Sequence, residues 1–114
     1  MFWKKKRRLE DVLQEIANEL APEYEGELIV SEFKWGSHIW EKGAREINQT
    51  IDFQPRVEGY EKKLISVYET YSLWEKKDLH IYLRDEFVVE VAMKYLNKYI
   101  SEKNLKEVEI KKEY

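Results

Sequence analysis

The stretch Asp78–Glu90, DLHIYLRDEFVVE, changes its period at its midpoint. Leu79, Ile81 and Leu83 alternate with His80, Tyr82 and Arg84, which is the period of two of a strand. From Phe87 onward the apolar residues come in adjacent pairs four apart, which is the spacing of a helix. Asp85 stands at the junction. A carboxylate there can accept from the free N–H groups of the first helical turn, and Glu86 adds a second negative charge where the helix dipole is positive. A strand must therefore run directly into a helix at this point, and few folds accommodate that helix.

The constraint comes from how much of the helix is apolar. At about 100° per residue, Phe87, Val88, Val89, Val91, Ala92, Met93, Tyr95, Leu96, Tyr99 and Ile100 cover an arc of roughly 240°. A helix resting on one sheet needs an arc of only ~100° or somewhat more. This one must touch two neighbours. The plain reading is a sheet on one side and another helix on the other. The sharper reading gives part of the arc, Val89, Met93 and Ile100, to a partner or a second copy of the chain. Asn104 is a suitable left-handed stop for the helix, which ends near Lys103.

Upstream, the spacing predicts a helix from Arg7 to Leu20, with Leu9, Val12, Leu13, Ile16, Ala17 and Leu20 in one stripe and carboxylates and amides elsewhere. Residues 27–35 and 61–75 are rich in β-formers. Residues 38–54 read as a hairpin turning at Lys42-Gly43, and Leu79–Arg84 continues the series. The tail LKEVEIKKE makes a last strand with Val108 and Ile110 on one face. A strand–helix–strand passage sets that strand parallel to a neighbour. The expected architecture is α+β: an N-terminal helix, an antiparallel meander of about five strands, a long C-terminal helix packed on the sheet, and a short final strand. The 114 residues are read as one domain, 1–114, with a basic segment at 1–8.

Charge is unevenly placed. The net charge is -3, yet five of the 20 basic residues (Lys4, Lys5, Lys6, Arg7, Arg8) stand in the first eight positions, which hold no acid. The rest of the chain sets 15 basic against 23 acidic groups, a balance of -8. An acidic body argues against strong nucleic-acid binding, because phosphate neutralisation dominates that affinity. The basic end suits a solvated tail that folds back on the acidic body, with weak membrane or nucleic-acid contact as the other reading. No apolar run is long enough to cross a bilayer, and no apolar segment follows the basic start as in a signal peptide. Stable membrane insertion is therefore not expected, and a cytoplasmic location is. The chain lacks cysteine, so neither a disulfide framework nor a thiol nucleophile is available.

Motifs for chemistry are sparse. His38 and His80 are the two histidines, and neither stands in a metal-ligand or nucleophile-elbow pattern. Glycine-rich phosphate loops and calcium loops are missing as well. The reading assigns no cofactor, no metal site and no catalytic residue. What the sequence does hold is aromatic surface: four tryptophans and eight tyrosines, with apolar residues in both parities of the strands. Leu28 and Val30 oppose Ile29, Phe33 and Trp35, and Leu64 and Tyr68 oppose Ile65 and Val67. Trp35, Trp40, Trp74 and Tyr82 are thus expected on the sheet face away from the helices. Tyr, Trp and Arg anchor protein interfaces, and the same residues also serve as ordinary cross-strand pairs.

The expected function is a non-catalytic protein-binding module, such as a small inhibitor, an immunity-type antidote or a partner-specific chaperone. Its partner is a protein, suited to be basic, and the candidate contact residues are Trp35, Trp40, Trp74, His80, Tyr82 and Arg84. A homodimer is the second partner class. The alternative is a small-ligand binder or enzyme with a cavity between curled sheet and helix, using His80, Tyr82 and Arg84, with Asp52, Glu69 or His38 completing the group.

Overall fold

The computed structural model describes residues 7–36, 45–71, 77–103 and 105–114. Its first element, α1 (Leu9–Leu20), buries the whole predicted stripe, Leu9, Val12, Leu13, Ile16, Ala17 and Leu20. Arg8 caps it in extended conformation, and its backbone N–H donates to Asp11 Oδ2 at 3.3 Å. A short 3-10 turn, Ala21–Glu23, carries Pro22 where its missing N–H costs nothing.

The strands β1 (Gly26–Gly36), β2 (Arg45–Pro55), β3 (Lys62–Tyr71) and β4 (Lys77–Leu83) pair antiparallel in sequence order. They form the expected meander. The arm predicted at His38–Trp40 lies outside the described residues. Gly26 opens β1 because the backbones are too close there for a side chain: a Cβ would stand 2.1 Å from the Gln54 carbonyl oxygen.

Asp85 ends the β4 passage as expected. Its carboxylate accepts from the Phe87 N–H at 2.9 Å and holds the Lys62 ammonium at 2.7 Å. The next turn, Glu86–Val88, is 3-10 rather than α, and it swings Phe87 out to 82% exposure although the wheel placed it in the apolar arc. Then α2 (Val89–Glu102) runs back along the sheet, and β5 (Leu105–Lys112) closes the sheet beside β4, parallel to it. The sheet order is β1-β2-β3-β4-β5.

The register sorts the two faces. Ile51, Ile65 and Leu83 make one row, and Val67, Ile81 and Ile110 fall in the next. These rows face the helices. Tyr99 of α2 donates to Glu69 Oε2 of β3 at 2.6 Å, while α1 packs over β1, β2 and α2. One core joins Val12, Leu13 and Ile16 with Leu64, Ile65, Val67, Leu79, Ile81, Val88, Ala92 and Leu96. The wide arc of α2 has its plain explanation here. Val88, Ala92, Leu96 and Tyr99 are buried, and on the α1 side Lys94 and Tyr95 both donate to Glu19 Oε1, at 3.0 and 2.8 Å.

One parity expectation fails. Ile51 pairs with Ile65 but Asp52 pairs with Lys63, so Leu64 is an extra residue in β3. The bulge returns Leu64 to the side of Ile65 and Val67, and all three are fully buried in one core. Tyr68 alone of the predicted pair keeps the opposite face, where it meets Tyr82.

Candidate functional site

Because Leu79, Ile81 and Leu83 point to the helices, His80, Tyr82 and Arg84 point to the other side of the sheet, here called the outer face. The sequence places the trio together, and the register supplies its neighbours. Tyr68 lies across from His80, Ser66 across from Tyr82, and on the parallel side Glu109 and Lys111 take the same positions.

The side chains interlock. The rings of Tyr68 and Tyr82 meet edge-on at 5.4 Å between centroids. The Arg84 guanidinium carbon and the Lys111 ammonium lie 5.6 and 5.8 Å from the centre of the Tyr82 ring. Each cation also has an acid. Arg84 Nη1 donates to Glu113 at 2.6 Å and its Nε donates to Ser66 Oγ at 3.2 Å. Lys111 Nζ stands 3.1 Å from Glu109, and Nδ1 of His80 stands 3.3 Å from the same carboxylate. The hydrogen bond and charge of Lys111 hold the Glu109 carboxyl below the usual carboxylate range, and Glu109 in turn raises Lys111. Both groups stay charged at neutral pH.

Toward the centre of the sheet the outer face becomes polar and buried. Ser66, Thr50 and Asp52 are 1%, 7% and 7% exposed. Thr50 Oγ1 donates to Asp52 Oδ2 at 3.2 Å, while Asp52 Oδ1 and Asn48 Oδ1 are buried with no hydrogen-bond partner among the described residues. Small polar side chains in a row between larger neighbours are sheltered by them, which accounts for Ser66 under Arg84.

The other expected members of the site fall as follows. Trp35 stands in β1 opposite Glu46, with only its backbone described. Trp40, Trp74 and His38 lie outside the described residues. Asp52 shares the outer face with the trio. Glu69 does not, because it points to the helices and accepts from Tyr99. For the same reason a cavity between sheet and helix is not lined by His80, Tyr82 and Arg84, and any ligand using that trio binds on the outer face. Among the described residues no group of three or more His, Asp and Glu side chains is placed to hold a metal ion.

Sequence reasoning missed Ser66, Tyr68, Glu109, Lys111 and Glu113 as neighbours of the trio. Tyr68 had a visible signal, its parity within β3. The others depend on cross-strand register, which the turns hide. No protein-family model matches the chain, and no curated protein or solved structure matches it.

Proposed function

We propose that the chain is a non-catalytic protein-binding module, of the inhibitor, antidote or chaperone kind, and that the outer face is its contact surface. One observation carries the reading: Tyr82 is held between two cations and against Tyr68, in a cluster whose cations are already paired with acids. Tyr and Arg are the residue types that dominate binding energy at interfaces. A ring fixed before contact loses little conformational freedom on binding. Charges that satisfy one another do not have to find new partners when water leaves.

The same face suits a basic partner. Glu46, Asp52, Asp78, Glu107 and Glu109 share it by register, against Lys63 and Lys111, and the Glu113–Arg84 pair lies beside them. Such an excess steers a cationic protein toward the aromatic pad and penalises acidic competitors. The acidic balance of the whole chain beyond its first eight residues acts in the same direction.

The test is capture of the partner by wild-type and Tyr82→Ala chains, followed by titration calorimetry of the purified pair. Truncating a central aromatic anchor costs on the order of 2 kcal/mol, so affinity should fall at least tenfold, and weaken further with salt. Equal affinity for wild type and Tyr82→Ala would remove the outer face from consideration.

A second reading uses the same face for a small ligand. Its support is the pair of buried acceptors, Asn48 Oδ1 and Asp52 Oδ1, that lack donors among the described residues. A ligand rich in N–H or O–H groups that displaced the side chains over them would satisfy them. Stabilisation of the wild type but not of Arg84→Ala in a thermal-shift ligand screen, with Tyr82→Ala still binding the protein partner normally, would favour it.

A further inference from the structure

The sheet ends at β5, and no strand among the described residues pairs with its outer edge. The Glu113 N–H donates to the Leu83 carbonyl, so the odd-numbered residues of β5 direct their backbone groups toward β4. Strand alternation then turns the N–H and C=O groups of Val108, Ile110 and Lys112 outward. Side chains of Val108 and Ile110 lie on the helix side, next to Leu79 and Ile81, yet remain 38% and 41% exposed. On the helical wheel Val89, Met93 and Ile100, all half-buried, occupy the flank of α2 away from the residues that reach α1. The apolar side of the molecule thus runs out to an edge that no described strand pairs.

Charge order along that edge selects what can cover it. Lys106 and Glu113 stand toward the two ends, and between them Glu107 and Glu109 precede Lys111 and Lys112. Charged edge strands ordinarily guard a sheet against pairing. A guard of one sign repels every copy of itself. This edge carries both signs: an in-register parallel copy would set every charge against its like, whereas an antiparallel copy centred on Ile110 sets Glu109 against Lys111 at both central contacts and leaves only Glu107 against another acid, Glu113.

We propose that β5 pairs antiparallel with β5 of a second copy of this chain, about a two-fold axis through Ile110. In that register Ile110 meets Ile110 of the partner subunit. Glu109 faces Lys111 of the partner subunit, twice by symmetry, and Val108 receives the aliphatic stem of Lys112 of the partner subunit. The outward N–H and C=O groups of Val108, Ile110 and Lys112 are all used. The axis stands perpendicular to the sheet, so both helical layers lie on one side and both outer faces on the other, in one ten-stranded sheet. The pairing stands independently of the proposal for the outer face.

Charge exchange tests the register. In a Lys111→Glu chain, Glu109 would face glutamate at both contacts. In a Glu109→Lys chain, lysine would face lysine. Mixed in equal amounts, the two variants restore acid against base at both contacts. Sedimentation equilibrium should show a wild-type dimer, each variant self-associating roughly tenfold or more weakly, and the mixture returning to wild-type affinity. Circular dichroism spectra and melting curves check that both variants fold. A third variant, Ile110→Lys, places two ammonium groups on the axis and should be monomeric. A wild-type chain that stays monomeric overturns the proposal. So does a dimer indifferent to all three substitutions, or a mixture that fails to recover.

Discussion

Tyr99 shows what a single buried side chain is asked to do. Its ring completes the core under α2, and its hydroxyl must find an acceptor there, which Glu69 supplies at 2.6 Å. The Lys103 ammonium lies 5.1 Å from the ring centre. Burial, with the hydrogen bond and charge of Glu69, pushes the phenol far above its ordinary range. The folded chain therefore keeps a proton that the unfolded chain releases above about pH 10. The stability tied to this group is fully present below that pH and declines as pH rises past it. Tyr99→Phe should lose about 1.5–3 kcal/mol at neutral pH, the range for a hydrogen bond to a charged group. It should also flatten the alkaline decline, as urea titrations at several pH values would show. An unchanged alkaline limb would mean another group governs it.

At the scale of elements, the junction between β4 and α2 is the decisive one. Asp85 caps the turn into the helix and grips Lys62 at the start of β3, tying two strands and a helix together. Partial burial pushes its carboxyl up. The Lys62 hydrogen bond, the Phe87 N–H and the Lys62 charge together outweigh that and hold it below the usual carboxylate range. Its contribution is present above about pH 4, the unfolded value, and is lost as pH falls through the lower folded one. Asp85→Ala should cost about 0.5–2 kcal/mol, the range for an N-cap, and make stability less sensitive to acid. Thermal melts at neutral and acid pH would check both parts.

Elements are also where the sequence is most and least legible. The stripe of α1 is fully readable, because six apolar residues at helical spacing have one geometric explanation. The passage from β4 into α2 is equally clear, since the period changes at a capping residue. Leu64 is the counterexample. A bulge leaves no mark in composition, and one inserted residue reverses the face of those beyond it. Phe87 misleads for a related reason, because a 3-10 turn advances 120° per residue and not 100°. For the outer face, parity groups His80, Tyr82 and Arg84, but nothing local pairs Arg84 with Glu113 or His80 with Glu109. Those contacts belong to a parallel strand added 22 residues after β4 ends.

Viewed whole, the molecule assigns its two sheet faces to different tasks. The helix side holds the large apolar core, the bond that joins α2 to the sheet, Tyr99 to Glu69, and the bonds that join α2 to α1, Lys94 and Tyr95 to Glu19. The outer side holds aromatic rings, paired charges and buried polar groups, and no helix among the described residues covers it. At the surface, Arg7 pairs with Glu15 and Arg8 with Glu10 and Asp11, all of α1. Among the described residues no helix is long and apolar enough to cross a membrane. If recognition belongs to the outer face, changes there should move affinity while changes beneath the helices move stability.

Tyrosines on both sides of the sheet allow that division to be read in one experiment. The chain would be prepared with labelled tyrosine rings, and their NMR signals followed as the captured partner is added. The account predicts that Tyr68 and Tyr82 shift or broaden in proportion to binding, while Tyr95 and Tyr99 keep their positions. Shifts confined to Tyr95 and Tyr99, with Tyr68 and Tyr82 unmoved at saturation, would contradict it.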